Sequence, residues 1–151
     1  MSAPGYKGVG MWVRIQHRFG PRMTEWFMAA HMIGFGWVLL LPTQTFNLPQ
    51  FQTFRQLFPS ESFLGWLMAI VGCLRIIGLV INGAKEKVTP QIRQFSAAVG
   101  CIIWTGITYG FASSDVVSTW IAIYPLFAFG ELVNINRAAR DQGEIRNGTA
   151  G

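Results

Sequence analysis

The stretch from Ser62 to Asn82 constrains this chain most, because it is apolar almost throughout and contains a single arginine, Arg75. A membrane-spanning helix needs about 20 mostly apolar residues, and this stretch is long enough. An arginine at membrane depth is costly unless it faces the protein interior or water. The sequence therefore predicts a spanning helix whose arginine is paired with a group on another helix.

Three further apolar runs predict three more spans, which gives a transmembrane domain at 24–134 with spans at 24–41, 62–82, 94–111 and 116–134. Of the 151 residues, 51% are hydrophobic and only 13% are charged, whereas soluble domains carry about 25% charged residues. The predicted fold class is an all-α membrane protein with four transmembrane helices in a compact bundle, and its main surroundings are the lipid bilayer.

Basic residues lie mainly in the segment before the first span, in the central connection 83–93 and in the tail 135–151, whereas the other two connections together contain only Arg55. Lysine and arginine concentrate on the cytoplasmic side of a membrane. We therefore expect both termini and the central loop in the cytoplasm of a multi-pass protein of the bacterial inner membrane. The net charge of +5 is distributed as an orientation signal, so nucleic acid is not an expected partner.

The N-terminal leader, residues 1–23, contains an amphipathic segment at 11–19. Its apolar residues recur at helical spacing, and Arg14, His17 and Arg18 share the opposite face. This pattern predicts an interfacial helix with its basic groups toward lipid phosphates. A solvated basic leader is the alternative, and an Arg-rich leader is also compatible with an organelle transit peptide.

A second amphipathic segment lies at 50–58 in the connection between the first two spans, with Phe51, Phe54 and Phe58 among its apolar positions. We expect a short helix that rests on the far membrane face, since a loop between two spans is held at the interface. A surface that docks a partner protein is the alternative interpretation.

His31 in the first span and Glu131 in the fourth are further ionisable residues inside the apolar runs. Counted at about 1.5 Å per residue from the cytoplasmic ends, Arg75 and Glu131 lie near one level. We therefore predict an Arg75–Glu131 ion pair with His31 nearby. Two roles remain open for it: a structural pair that fixes the register of two helices, which we favour, and a proton or anion relay.

No cofactor or metal is expected. A bis-histidine haem needs two facing imidazoles, and the other histidine, His17, precedes the first span. Cys73 and Cys101 lie inside apolar runs and form no CxxC or Cys/His motif, which argues against a structural zinc site. The sequence also lacks paired carboxylates, a Ser/His/Asp set and a Gly-rich phosphate loop. We therefore expect a protein that is not an enzyme.

Small residues recur at spacings that let spanning helices approach closely, at Ala30, Gly34, Gly65, Gly72, Ala97, Cys101, Thr105, Gly106 and Gly110. Pro125 cannot donate its amide and is expected to kink the fourth span. The first span opens with Phe27–Ala30, and the third opens with the similar Phe95–Ala98. This weak repeat favours two related helical hairpins.

Three hypotheses of function follow. The leading one is a non-enzymatic membrane protein that acts by self-association or by docking to another membrane protein, for example as a holin-like pore. The second is a small transporter, or a subunit of a transport or respiratory complex, that uses Arg75, Glu131 and His31. The third is an accessory or exclusion factor that binds a membrane partner through the segment 51–58.

Overall fold

The computed structural model describes residues 22–84 and 89–147, and within them it contains five α-helices and no β-strand. The helices are α1 (Met23–Leu40), α2 (Gln52–Leu57), α3 (Glu61–Ala84), α4 (Thr89–Ala112) and α5 (Trp120–Arg146). Two 3₁₀ turns, Thr45–Asn47 and Pro49–Phe51, precede α2. The predicted all-α class is confirmed for these residues, whereas the amphipathic segment 11–19 with Arg14, His17 and Arg18 lies outside them.

Two helices are long and apolar enough to cross a membrane: Glu61–Ile81 of α3 and Pro90–Ala112 of α4. In the most apolar part of each, 33% of the residues are buried in the protein, and the others are partly or fully exposed. Helix α1 is largely apolar apart from Glu25, whereas α5 is apolar only as far as Glu131 and carries charged residues in its second half.

Helix bounds differ from the predicted spans mainly in the second half of the chain. Helix α4 begins at Thr89, five residues before the predicted span, and α5 begins at Trp120 and runs through the predicted tail as far as Arg146. The extra turns contain charged residues that pair across the bundle, as described below. Pro125 lies inside α5, where it is exposed.

The four long helices form two hairpins, because α1 packs mainly against α3 and α4 mainly against α5. Glycines bring the backbones of α1 and α3 together. A Cβ atom on Gly36 would lie 2.6 Å from the carbonyl oxygen of Gly65, and one on Gly72 would lie 2.9 Å from that of Ala29. A larger residue at either position would force the two helices apart.

The other small residues named from the sequence fall in different surroundings. Ala97 is buried and Cys101 is half-buried, whereas Ala30, Thr105 and Gly106 are exposed.

Two glycines from the same set differ in the space beside them. A Cβ on Gly110 would lie 2.5 Å from the ring of Phe54, so a larger residue there would displace that ring. A Cβ on Gly34 would meet nothing within 4 Å.

The segment 50–58 closes one end of the bundle. Phe51 and Phe54 are 7% and 1% exposed, and their ring centroids lie 5.1 Å and 5.0 Å from that of Phe111 on α4. The expectation that these phenylalanines rest on the membrane surface is therefore corrected, since both side chains are buried in the core. Phe58 is half-buried.

Glu61, the first residue of α3, explains why this segment folds back over the bundle. Its carboxylate accepts hydrogen bonds from the backbone N–H groups of Thr45 at 2.9 Å and Phe46 at 3.1 Å. The two bonds hold the 3₁₀ turn against the start of α3. They thereby place the phenylalanines that follow over the end of α4.

The substitution Gly36→Leu should lower the stability of the protein, because the new side chain has to separate α1 from α3. Overpacking of this kind costs about 1–3 kcal/mol. Gly34→Leu is the matched control, since it lies on the same helix and its Cβ would meet no atom within 4 Å. Thermal unfolding followed by circular dichroism in detergent micelles measures both; equal midpoints for the two variants would contradict the close approach of α1 and α3.

Candidate functional site

The sequence-predicted partners Arg75 of α3 and Glu131 of α5 form a bidentate ion pair. Nη1 of Arg75 donates to Oε1 of Glu131 at 2.5 Å, and Nη2 donates to Oε2 at 2.9 Å. The two side chains are 6% and 0% exposed. A planar guanidinium that faces a carboxylate with two parallel hydrogen bonds is the strongest geometry available to such a pair.

Residues that the sequence analysis did not single out complete this pair. Nδ2 of Asn134 donates to Glu131 Oε2 at 3.1 Å, and Met32 Sδ lies 3.6 Å from Arg75 Nη1. Gly100 of α4 lies against both charged groups, because a Cβ atom there would overlap Arg75 Nη1 and Glu131 Oε1. The lack of a side chain at Gly100 thus leaves the space that the pair occupies.

A second buried cluster joins α1, α4 and α5. Arg93 of α4 donates to Glu25 of α1 through Nε, at 2.9 Å from Oε1, and through Nη2, at 2.5 Å from the same oxygen. Its Nη1 donates to Asp141 of α5. The side chains of Arg93 and Glu25 are 8% and 10% exposed, whereas that of Asp141 is 48% exposed.

This cluster corrects the interpretation of Arg93 as a charge of the central loop. Arg93 lies within α4 and is buried, so its charge is used inside the molecule. Glu25 lies near the start of α1 and Asp141 near the end of α5. The contacts of Arg93 therefore place the starts of α1 and α4 and the end of α5 at one end of the bundle.

Two of the three ion pairs in the described residues cross the bundle diagonally. Helix α1 has α3 and α5 as its neighbours, and α4 has α5 and α3. The Glu25–Arg93 pair links α1 with α4, and the Arg75–Glu131 pair links α3 with α5. Each pair therefore connects one hairpin with the other, between helices that otherwise make little contact.

The sequence does contain a signal for the second cluster. Glu25 and Arg93 are 68 residues apart, and the same interval separates Phe27–Ala30 from Phe95–Ala98. The weak repeat thus aligns an acid in the first hairpin with a base in the second, and these two residues meet in the structure.

His31 does not take part in the hydrogen bonds of the Arg75–Glu131 pair. Its ring centroid lies 4.5 Å from that of Phe127 and 5.4 Å from that of Trp104. His31 belongs instead to an aromatic layer that includes Trp104 and Tyr124, whose rings stack at 5.7 Å.

Potential metal ligands are dispersed. Within residues 22–84 and 89–147, no group of three or more His, Cys, Asp or Glu side chains could hold a metal ion. Cys73 and Cys101 are both free thiols, one exposed and one half-buried.

Comparisons of the chain with protein-family models, with curated proteins and with solved structures found no match.

Removal of either partner of the Arg75–Glu131 pair should destabilise the protein strongly. Arg75→Leu and Glu131→Leu each leave a buried charge without its partner, which costs about 3–5 kcal/mol. The double variant Arg75→Glu/Glu131→Arg should recover part of this loss, since it restores the opposite charges across α3 and α5. Thermal midpoints in detergent micelles measure all three.

Two exposed arginines provide the control for these substitutions. Arg137→Leu and Arg140→Leu remove charges on the solvent side of α5 and should change the midpoint little. Two results would contradict the pairing. One is that Arg75→Leu or Glu131→Leu is as stable as these controls, and the other is that the charge-swapped double variant is less stable than both single variants.

Proposed function

We propose that the protein is an integral membrane protein of the bacterial inner membrane that crosses the bilayer four times with both termini in the cytoplasm. The observation that carries this proposal is the distribution of polarity: buried acidic side chains of α1 and α5 pair with buried arginines of the other hairpin, while large apolar side chains lie outside. A surface of large apolar side chains favours aggregation in water and suits contact with lipid.

The outward apolar residues occur on all four long helices. Among the most exposed are Trp37 of α1, Trp66 of α3, Phe95 and Ile102 of α4, and Leu126 of α5, at 59% to 73% exposure. The shortest of these helices, α1, has 18 residues and is about 27 Å long, close to the hydrocarbon thickness of about 30 Å. Four crossings with both termini on the cytoplasmic side accord with the lysine and arginine bias of the connections.

A labelling experiment tests this topology. In a variant whose native cysteines are replaced by serine (Cys73→Ser/Cys101→Ser), single cysteines are introduced at Ser113, in the turn between α4 and α5, and at Gly143, near the end of α5. We expect a membrane-impermeant maleimide to label Ser113→Cys in intact cells and Gly143→Cys only after permeabilisation. Labelling of both in intact cells, or of Gly143→Cys alone, would contradict the topology.

Within the membrane, the function that the geometry supports best is non-enzymatic association with another copy or with another membrane protein. The outer face of α4 carries Phe95, Ile102 and Tyr109, seven residues apart, with exposures of 73%, 73% and 61%. Between them lies Gly106, where a Cβ would meet nothing within 4 Å. A seven-residue apolar repeat beside a small residue favours helix association in lipid.

In its concrete form, the proposal is a holin-like assembly that permeabilises the membrane. The purified protein in vesicles should then release a trapped dye with a steeper than linear dependence on protein density. Gly106→Leu should reduce both the leakage and the energy transfer between labelled copies. Gly78→Leu on α3, whose Cβ would also lie in open space, is the matched control.

The two readouts separate the parts of this proposal. Association without leakage at any protein density rejects the pore. Energy transfer that is equal in Gly106→Leu and in the control rejects the outer face of α4 as the association surface.

A second candidate is a transporter, or a subunit of a transport or respiratory complex, that uses Arg75, Glu131 and His31. Ionisable groups at membrane depth often mark transport paths, and this observation supports the candidate. The pairing of Arg75 with Glu131 argues against this candidate, because the two charged groups already bond to each other. The charge-swapped double variant distinguishes the two roles, because a transport path would lose flux in a variant that still folds.

The third hypothesis, an accessory factor that binds through the segment 51–58, loses its main support. Phe51 and Phe54 are buried against α4, so these rings are not available to a partner. Leu57 is the exposed apolar side chain of this helix, at 55%.

A further inference from the structure

A groove of about 460 Å³ lies between α1 and the start of α5, and the turns that precede α2 close one end of it. Small-molecule sites have volumes of about 300–1,000 Å³ and are lined by apolar and aromatic side chains with few polar groups. On α1 the groove is lined by His31, Gly34, Phe35 and Val38, among others. These positions share one face of the helix.

The walls of the groove are aromatic. The ring of Phe35 meets that of Tyr124 edge-on at 5.8 Å, and Trp120 stacks on Tyr124 at 5.7 Å. Phe51 and Phe111 line its closed end. Flat aromatic walls favour a planar ring as occupant, and every described residue that lines the groove is uncharged, which favours a neutral one.

Two polar side chains in the groove have no partner of their own. Tyr124 is 3% exposed and His31 is half-buried, and within the described part of the chain no hydrogen bond of either side chain is found. Neither group is enclosed in the protein, since the fully buried side-chain atoms without a partner in the described residues are Trp104 Nε1 and Asn134 Oδ1. Both side chains line the groove, where a bound ligand replaces the partners that polar groups normally have. Both groups have an N–H or O–H to donate, so the fitting ligand offers oxygen acceptors.

We propose that this groove binds a membrane-soluble quinone, with the ring between Phe35 and Trp120 and the carbonyl oxygens accepting hydrogen bonds from Tyr124 and His31. The apolar side chains of Val38 and Leu48 at the rim suit the start of an isoprenoid tail that continues into lipid. The proposal concerns binding alone and goes beyond the association function proposed above, on which it does not depend.

Decylubiquinone is a suitable probe, because it combines a quinone ring with a short apolar chain. The full-length protein in detergent micelles is titrated with it, and binding is followed by the quenching of tryptophan fluorescence and by the rise in the thermal midpoint. We expect saturation at one quinone per chain. Loss of one hydrogen bond should raise the Kd about fivefold to tenfold in Tyr124→Phe and in His31→Phe.

Two glycine variants separate groove binding from partition into the micelle. Gly34→Leu fills the groove and should abolish saturable binding, whereas Gly78→Leu, which lies outside it, should bind like the parent protein. The thermal midpoints without quinone show that each variant is folded.

Three outcomes would overturn the proposal. The first is quenching that rises without saturation and equally in all variants, which is partition of quinone into the micelle. The second is full displacement of the quinone by decanol, which is binding of an acyl chain. The third is a dimer that Gly34→Leu dissociates while the parent protein binds no quinone, which is occupation of the groove by a second copy.

Discussion

The structure depends on the need to satisfy Arg75 and Arg93, two of the three buried arginines in the described part of the chain. Arg75 and Arg93 are each less than one-tenth exposed, and a guanidinium cannot shed its charge as a buried lysine or histidine can. Each must therefore meet a carboxylate, and in both cases the carboxylate belongs to the other hairpin. Thus the residues that are most costly to bury are also those that determine how the two halves of the molecule fit together.

The two kinds of helix contact in this bundle have different physical origins. Within the first hairpin, Gly36 and Gly72 bring backbone against backbone, which is the close approach that spanning helices use when lipid gives no hydrophobic gain. Between the hairpins, the diagonal ion pairs and an aromatic layer around Trp104 provide the contact. The sides where the hairpins meet are accordingly looser, and each contains a groove: the one beside His31, and one of about 230 Å³ between α3 and α4 beside Arg93.

Much of this was readable from the sequence, since the period and length of apolar runs report helices directly. The bounds of α1 and α3 follow from the length of their apolar runs. The partnership of Arg75 with Glu131 follows from the rule that a buried charge needs a partner. Arg93 was assigned to the central loop because it directly precedes an apolar run, where a basic residue is ordinarily an orientation signal. The three-dimensional position of Glu25 shows that this arginine is turned inward.

Local rules also failed where the chain folds back on itself. The phenylalanines of the segment 50–58 have the spacing of an interfacial helix, and nothing in that spacing distinguishes lipid from the open end of a bundle. The hydrogen bonds from Thr45 and Phe46 to Glu61 hold the segment against the end of the bundle. They join residues about 15 positions apart, so local spacing does not reveal them. Gly100 was overlooked for a similar reason, since its role is to leave room for a pair formed by two other helices.

The most direct test of this account is whether the ion pairs join the hairpins. The halves 1–86 and 87–151 are produced as separate chains in one membrane, with an affinity tag on the first, and recovery of the second is measured after mild solubilisation. We expect the halves to copurify. Recovery of the second half should be lost when Arg75 and Arg93 are both replaced by leucine. It should be kept when the exposed Arg137 and Arg140 are both replaced by leucine. Equal recovery with and without the buried arginines would contradict the account, because packing alone would then hold the hairpins together.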